Sequence, residues 1–72
     1  MEVYRIDWVD IKGDEYRGSA WLHQLKGLVK EFLNNKDVVV FTILNSVDEV
    51  VFEVTDDGVV IDKFDIMNKL EE

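Results

Sequence analysis

The stretch DVVVFTIL, residues 37–44, decides how the rest of the chain is read. A strand buried on one face alternates apolar and polar side chains. Here Val39, Phe41 and Ile43 fall in one phase, Val38, Val40 and Leu44 fall in the other, and only Thr42 is polar. Apolar groups on both faces mark a central strand covered above and below. Whatever fold forms must supply cover for both sides of this segment.

Reading toward the C-terminus, NSVD turns the chain and EVVFEVT alternates. Val50, Phe52 and Val54 point inward, with Glu49, Glu53 and Thr55 outward. Asp57-Gly58 signals a hairpin, because tight hairpin turns need a positive φ that Gly supplies without strain. VVIDKF returns as a third strand. A two-residue turn and a bulged one place different partners opposite Glu53, either Asp62 or Ile61, and both registers stay open. DIMNKLEE starts a short helix capped by Asp65, with Ile66, Met67 and Leu70 inside, unless the strand runs on to Ile66.

Toward the N-terminus, Trp21, Leu22, Leu25, Leu28, Val29, Phe32 and Leu33 cover one broad face of a helical wheel. This predicts an amphipathic helix lying on the sheet, with Ser19 as its N-cap and Trp21 on its inner side. Asn34-Asn35 ends it, since Asn tolerates the left-handed conformation that often follows a helix. Ahead of the helix, Tyr4, Ile6 and Trp8 alternate with Arg5 and Asp7. The apolar phase then flips to Val9 and Ile11, so a bulge is expected near Val9. KGDE makes a turn, and EYRG reads as a short return strand or a loop. The sum is one α+β domain spanning residues 1–72. It is a two-layer sandwich with one helix on a mostly antiparallel sheet of three to five strands, in the order β-(β)-α-β-β-β with a short C-terminal helix.

At 72 residues one core is all the chain can bury. With no cysteine, neither a disulfide nor a thiolate zinc site can reinforce it, which leaves tight packing or self-association. The formal charge is −8 and uneven: residues 1–37 carry seven acids and six bases, residues 38–72 nine acids and two bases. Such a chain is repelled by phosphate backbones and anionic lipid, so direct nucleic-acid binding and membrane association are disfavoured. The opening MEVYRIDW has no basic or apolar leader region, and the longest apolar run is far below a membrane span. A cytoplasmic setting is the expectation.

The chemistry-bearing residues are sparse. His23 is the only histidine, on the helix face opposite the apolar stripe with nothing to orient it. Ser19 and Ser46 fall at a cap and a turn, where serine does backbone work. No nucleophile motif accompanies them, so an enzyme is not expected. TDDGVVID has a trace of a calcium loop, but flanking strands replace the helices and ligand spacing that such a loop needs. Neither metal nor cofactor is expected.

The functional candidates are the carboxylates of the last hairpin. If Glu49, Glu53, Asp62 and Asp65 share an outward sheet face, they form a carboxylate patch that gains by docking on a basic protein surface. Tyr16, an exposed aromatic on a loop, would anchor the contact. The expected function is a small non-catalytic binding protein, an inhibitor or decoy. The competing reading is a homodimer built on the uncovered side of VVVFTIL or on the helix face around Gly27.

Overall fold

The computed structural model describes Glu2–Lys69. Leu70, expected on the inner side of the terminal helix, lies outside the described residues. Five strands form one antiparallel sheet: β1 (Val3–Asp10), β2 (Glu15–Trp21), β3 (Val38–Leu44), β4 (Val50–Thr55) and β5 (Gly58–Asp62), in the spatial order β2-β1-β3-β4-β5. Between β2 and β3 the chain makes a 3-10 turn, Leu22–Gln24, and a helix α1, Leu25–Leu33. A four-residue helix α2, Ile66–Lys69, follows β5. The α+β class holds, and EYRG is a strand, so the sheet takes the upper end of the expected strand number.

The segment 38–44 is the middle strand of the five. On one side, Phe41 and Ile43 join Tyr4, Ile6, Ala20, Phe52, Leu25 and Val29 in a single buried cluster. Phe32 of α1 stacks on Phe41 at 4.4 Å between ring centroids, and Trp8 meets Phe32 at 5.0 Å. On the other side lie Val40, Thr42 and Leu44, paired in register with Val9, Asp7 and Arg5. Among the described residues no helix covers that second face.

Several expectations are corrected. The helix does not begin at Ser19. Antiparallel pairing of β2 with β1 continues through Arg5↔Ser19 to Val3↔Trp21, so the sheet claims these residues first. Trp21 therefore ends a strand and stays 41% exposed instead of packing in the core. Its backbone N–H donates to Gln24 Oε1 at 2.8 Å, which turns the chain into the helix. At the far end Asn34 keeps a right-handed φ of −89°. The helix closes there by tightening: the N–H of Asn35 donates to the Phe32 carbonyl at 3.1 Å.

The bulge expected near Val9 is present as a register shift between Val9 and Asp10 against β3. Two more shifts follow, between Ile43 and Leu44 on β3 and between Glu53 and Val54 on β4. The last settles the hairpin. Asp56 and Asp57 form the turn between paired Thr55 and Gly58, and Gly58 supplies the positive φ of 127° one position later than its expected place within the turn. Val54 then pairs with Val59 and Glu53 with Ile61, leaving Val60 as the extra residue.

Candidate functional site

That extra residue decides where the expected carboxylate patch goes. Because Glu53 faces Ile61, Asp62 falls opposite Phe52 and so on the helix-covered side of the sheet. Asp62 Oδ1 accepts the N–H of Ile66 at 2.8 Å and Oδ2 accepts that of Met67 at 3.0 Å. It is the cap of α2, the role expected of Asp65. Asp65 instead takes a left-handed φ of 55° in the turn before α2, and its Oδ1 accepts from Asn68 Nδ2 at 2.7 Å. Glu49 sits in the β3–β4 loop, where Asn45 Nδ2 donates to it at 3.3 Å and Lys63 Nζ lies 3.8 Å away. Only Glu53 stays on the open sheet face, between Thr42 and Ile61. The four carboxylates do not share a plane.

Tyr16 is not on a loop. It lies in β2 opposite Trp8, stacks on that indole at 5.5 Å with 15° between the rings, and remains 43% exposed. Its hydroxyl donates to Asp10 Oδ2 at 2.9 Å. Asp10 Oδ1 meanwhile accepts the N–H groups of Lys12 and Asp14, each at 2.9 Å, and closes the β1–β2 turn with Gly13 at φ 85°. Burial alone would raise the Asp10 carboxyl, but the Asp14 N–H, the Tyr16 hydroxyl and the Lys12 N–H together hold it below the ordinary carboxylate range. The same bond pushes the Tyr16 phenol upward, first through the hydrogen bond to Asp10 and then through its charge. The result is an aromatic ring fixed on both sides, with one edge open to solvent.

The structure does gather carboxylates, but at the end of the sheet that Tyr16 overlooks. In the antiparallel order, β1 and β4 leave the sheet at the same end where β2, β3 and β5 enter it. The β1–β2 turn brings Asp10, Asp14 and Glu15, the α1–β3 loop brings Asp37, and the β4–β5 turn brings Asp56 and Asp57. The first two connections are tied directly, the Ile11 N–H donating to the Asp37 carbonyl at 2.8 Å. Six carboxylates meet two lysines, Lys12 and Lys36, for a net −4. Asp10 is committed to its turn, while the other five are exposed. None of the six forms an ion pair among the described residues.

The open face carries a second arrangement. Asp7 sits between two guanidinium groups, with Arg17 Nε 3.3 Å from Oδ1 and Arg5 Nε 3.3 Å from Oδ2. Arg5 Nη1 goes on to donate to Asp48 Oδ1 at 3.0 Å. The contacts with Asp7 are charge contacts only, for Arg5 Nε and Asp7 Oδ1 are shielded from solvent without a hydrogen bond. Beside them is a shallow depression of about 380 Å³, lined by Asp7, Val9, Glu15, Arg17, Val40 and Thr42 among others.

Sequence reasoning missed both arrangements. Arg5 and Asp7 carried an outward-facing signal in the alternation of β1, but Arg17 was hidden while EYRG remained ambiguous. The acidic end had no linear signal, since four of its carboxylates come from the nearly neutral N-terminal half. Among the described residues no three metal-ligating side chains converge, and no helix is long and apolar enough to cross a membrane. No protein-family model matches the chain, and no curated protein or solved structure matches it.

Proposed function

We propose that this chain is a small non-catalytic binding protein whose acidic sheet end docks on a basic surface of a protein partner. The observation that carries the reading is the convergence of three connections into five exposed carboxylates, none in an ion pair among the described residues, beside a rigidly held Tyr16. Like charges held together cost stability. A cationic partner offsets that cost and is steered to the site as it approaches. The tyrosine supplies the lasting contact. It is amphipathic, and its bond to Asp10 and its stack on Trp8 have already removed most of its rotamer freedom.

The test is capture of partner by immobilised protein at low and high salt. Wild type is compared with an Asp14→Lys, Asp56→Lys, Asp57→Lys variant and with a Glu49→Lys, Glu53→Lys variant. Each reversal adds two positive charges, so three of them turn the end from net −4 to net +2. Wild type and the Glu49/Glu53 variant should capture the same basic protein and release it as the screening length contracts from about 10 Å at 0.1 M salt to about 3 Å at 1 M. The triple variant should capture none. Equal capture by the triple variant and wild type would remove the proposal.

A further inference from the structure

We infer that the uncovered face of the sheet is the contact surface for a second copy of this chain, so that the working unit is a two-fold dimer. Strand alternation and register put Val3, Arg5, Asp7 and Val9 on this face from β1, and Glu15, Arg17, Ser19 and Trp21 from β2. Val40, Thr42 and Leu44 come from β3, the last already buried at 7% exposure, with Glu53 from β4 and Ile61 from β5. Two arginines stand against three carboxylates, so the face holds a net −1 of the chain's −8. Its near-neutrality lets two copies of this acidic chain approach each other there with little local repulsion. A two-fold contact is self-complementary, and a face bearing both signs lets each copy offer what the other lacks.

Apolar anchors are present as well. Val3 and Trp21 are direct cross-strand partners, 42% and 41% exposed. The β3–β4 loop is fastened beside them: the Ser46 hydroxyl donates to Glu2 Oε2 at 3.0 Å, and Asp48 holds Arg5. That loop carries Val47, 77% exposed. One corner of the face thus shows a tryptophan and two valines, and Trp is the residue type most enriched where interfaces carry their binding energy.

The area suffices for a modest dimer. Five strands about 4.8 Å apart, each about six residues long at about 3.3 Å per residue, give a footprint of roughly 500 Å² per copy. Two such faces with side-chain relief bury roughly 1,000–1,400 Å², which reaches the lower part of the range for specific interfaces. The dimer should therefore form reversibly and dissociate on dilution.

The experiment is solution mass by light scattering or sedimentation across a dilution series. Wild type should reach twice 8.4 kDa at high concentration and fall toward 8.4 kDa on dilution. Thr42→Arg at the centre of the face and Trp21→Glu at its corner should each remain at 8.4 kDa throughout. Circular dichroism of both variants checks that they are folded. In wild type, quenching of Trp21 fluorescence by acrylamide should weaken as the dimer forms, a signal absent from Trp21→Glu. Three results would overturn the inference: wild type at 8.4 kDa at every concentration, masses climbing beyond a dimer, or a dimer that survives in folded Thr42→Arg and Trp21→Glu. A dimer that survives there but is lost in Val60→Lys would assign the contact to the β5 edge instead.

Discussion

Replacing Asp62 separates a structural carboxylate from a functional one. Its two oxygens each accept one backbone N–H from the first turn of α2, at 2.8 and 3.0 Å. Losing a side-chain cap costs about 0.5–2 kcal/mol. Because this carboxylate satisfies two donors, Asp62→Ala belongs in the upper half of that range. The cap also holds Ile66, only 3% exposed, in the core cluster. Full burial of an isoleucine side chain contributes about 1.5–3 kcal/mol, which bounds the further loss if α2 undocks. A chain of this length has about 4–11 kcal/mol in total. Asp62→Ala should thus remain folded but lower Tm by about 5–16 °C, at about 4–8 °C per kcal/mol for a domain this small. Asp62→Asn keeps one acceptor oxygen and should lose about half as much. Thermal and urea unfolding followed by circular dichroism measure both. Partner capture below the transition should be unchanged, because this carboxylate faces α2 and not the acidic end. The reasoning fails if Asp62→Ala melts within about 2 °C of wild type, which corresponds to less than half a kcal/mol. It fails equally if the folded variant no longer captures partner.

Three further outcomes follow from particular side chains. Gly27 lies on the exposed side of α1 with nothing within 4 Å of where a Cβ would stand. Gly27→Ala should therefore stabilise by about 0.8–1 kcal/mol with solution mass unchanged, and a loss of dimer instead would move the interface to the helix. Both tyrosines should ionise above the ordinary 10.0, Tyr4 because of its burial and its bond to Glu2, Tyr16 because of its bond to Asp10. In Asp10→Asn the phenolate absorbance should show one of the two steps moving to lower pH, and an unmoved profile would break the assignment. The Glu2 carboxyl is held low by the hydroxyls of Ser46 and Tyr4 and the Ser46 N–H, and Asp10 is held low by its turn. A depressed folded-state pKa contributes stability above the unfolded value of about 4, and that stability is lost as pH falls through the folded value. The urea midpoint should decline below about pH 4, with a shallower decline in a Glu2→Gln, Asp10→Asn variant; parallel declines would refute the link.

Much of the fold was legible because apolar periodicity records burial directly. The two-faced run at Val38–Leu44 announced a central strand, and the phase flip at Val9 announced a bulge. Where two local signals competed, the sequence could not arbitrate. Ser19 reads equally as a helix cap and as a strand residue, and only the long-range pairing of β2 with β1 selects the strand. The same limit hid the site. Asp56-Asp57-Gly58 permits a turn at Asp57-Gly58 or, as found, at Asp56-Asp57. The single residue of slack at Val60 then determines whether Asp62 meets solvent or caps a helix. Register is a tertiary property in which one step exchanges the two faces of a sheet. Linear charge asymmetry was misleading for a related reason: antiparallel topology folds acids from both halves onto one end.

The two proposed surfaces share only Glu15, at the start of β2, and are otherwise distinct, so they can be tested separately. The acidic end lies at the tips of the strands, whereas the dimer contact lies on the flat of the sheet. Burying the flat would cover Glu15 but leave Asp14, Asp37, Asp56 and Asp57 of each copy exposed, which converts a monovalent binder into a bivalent one. A bivalent unit holds a multivalent or surface-immobilised partner more tightly than either end alone, through the raised local concentration of the second site. Thr42→Arg should then keep single-site capture but lose the slow release from a densely loaded surface. Reversal of Asp14, Asp56 and Asp57 should abolish capture while leaving the mass at twice 8.4 kDa. If one set of substitutions removed both properties, the end and the face would be a single interface.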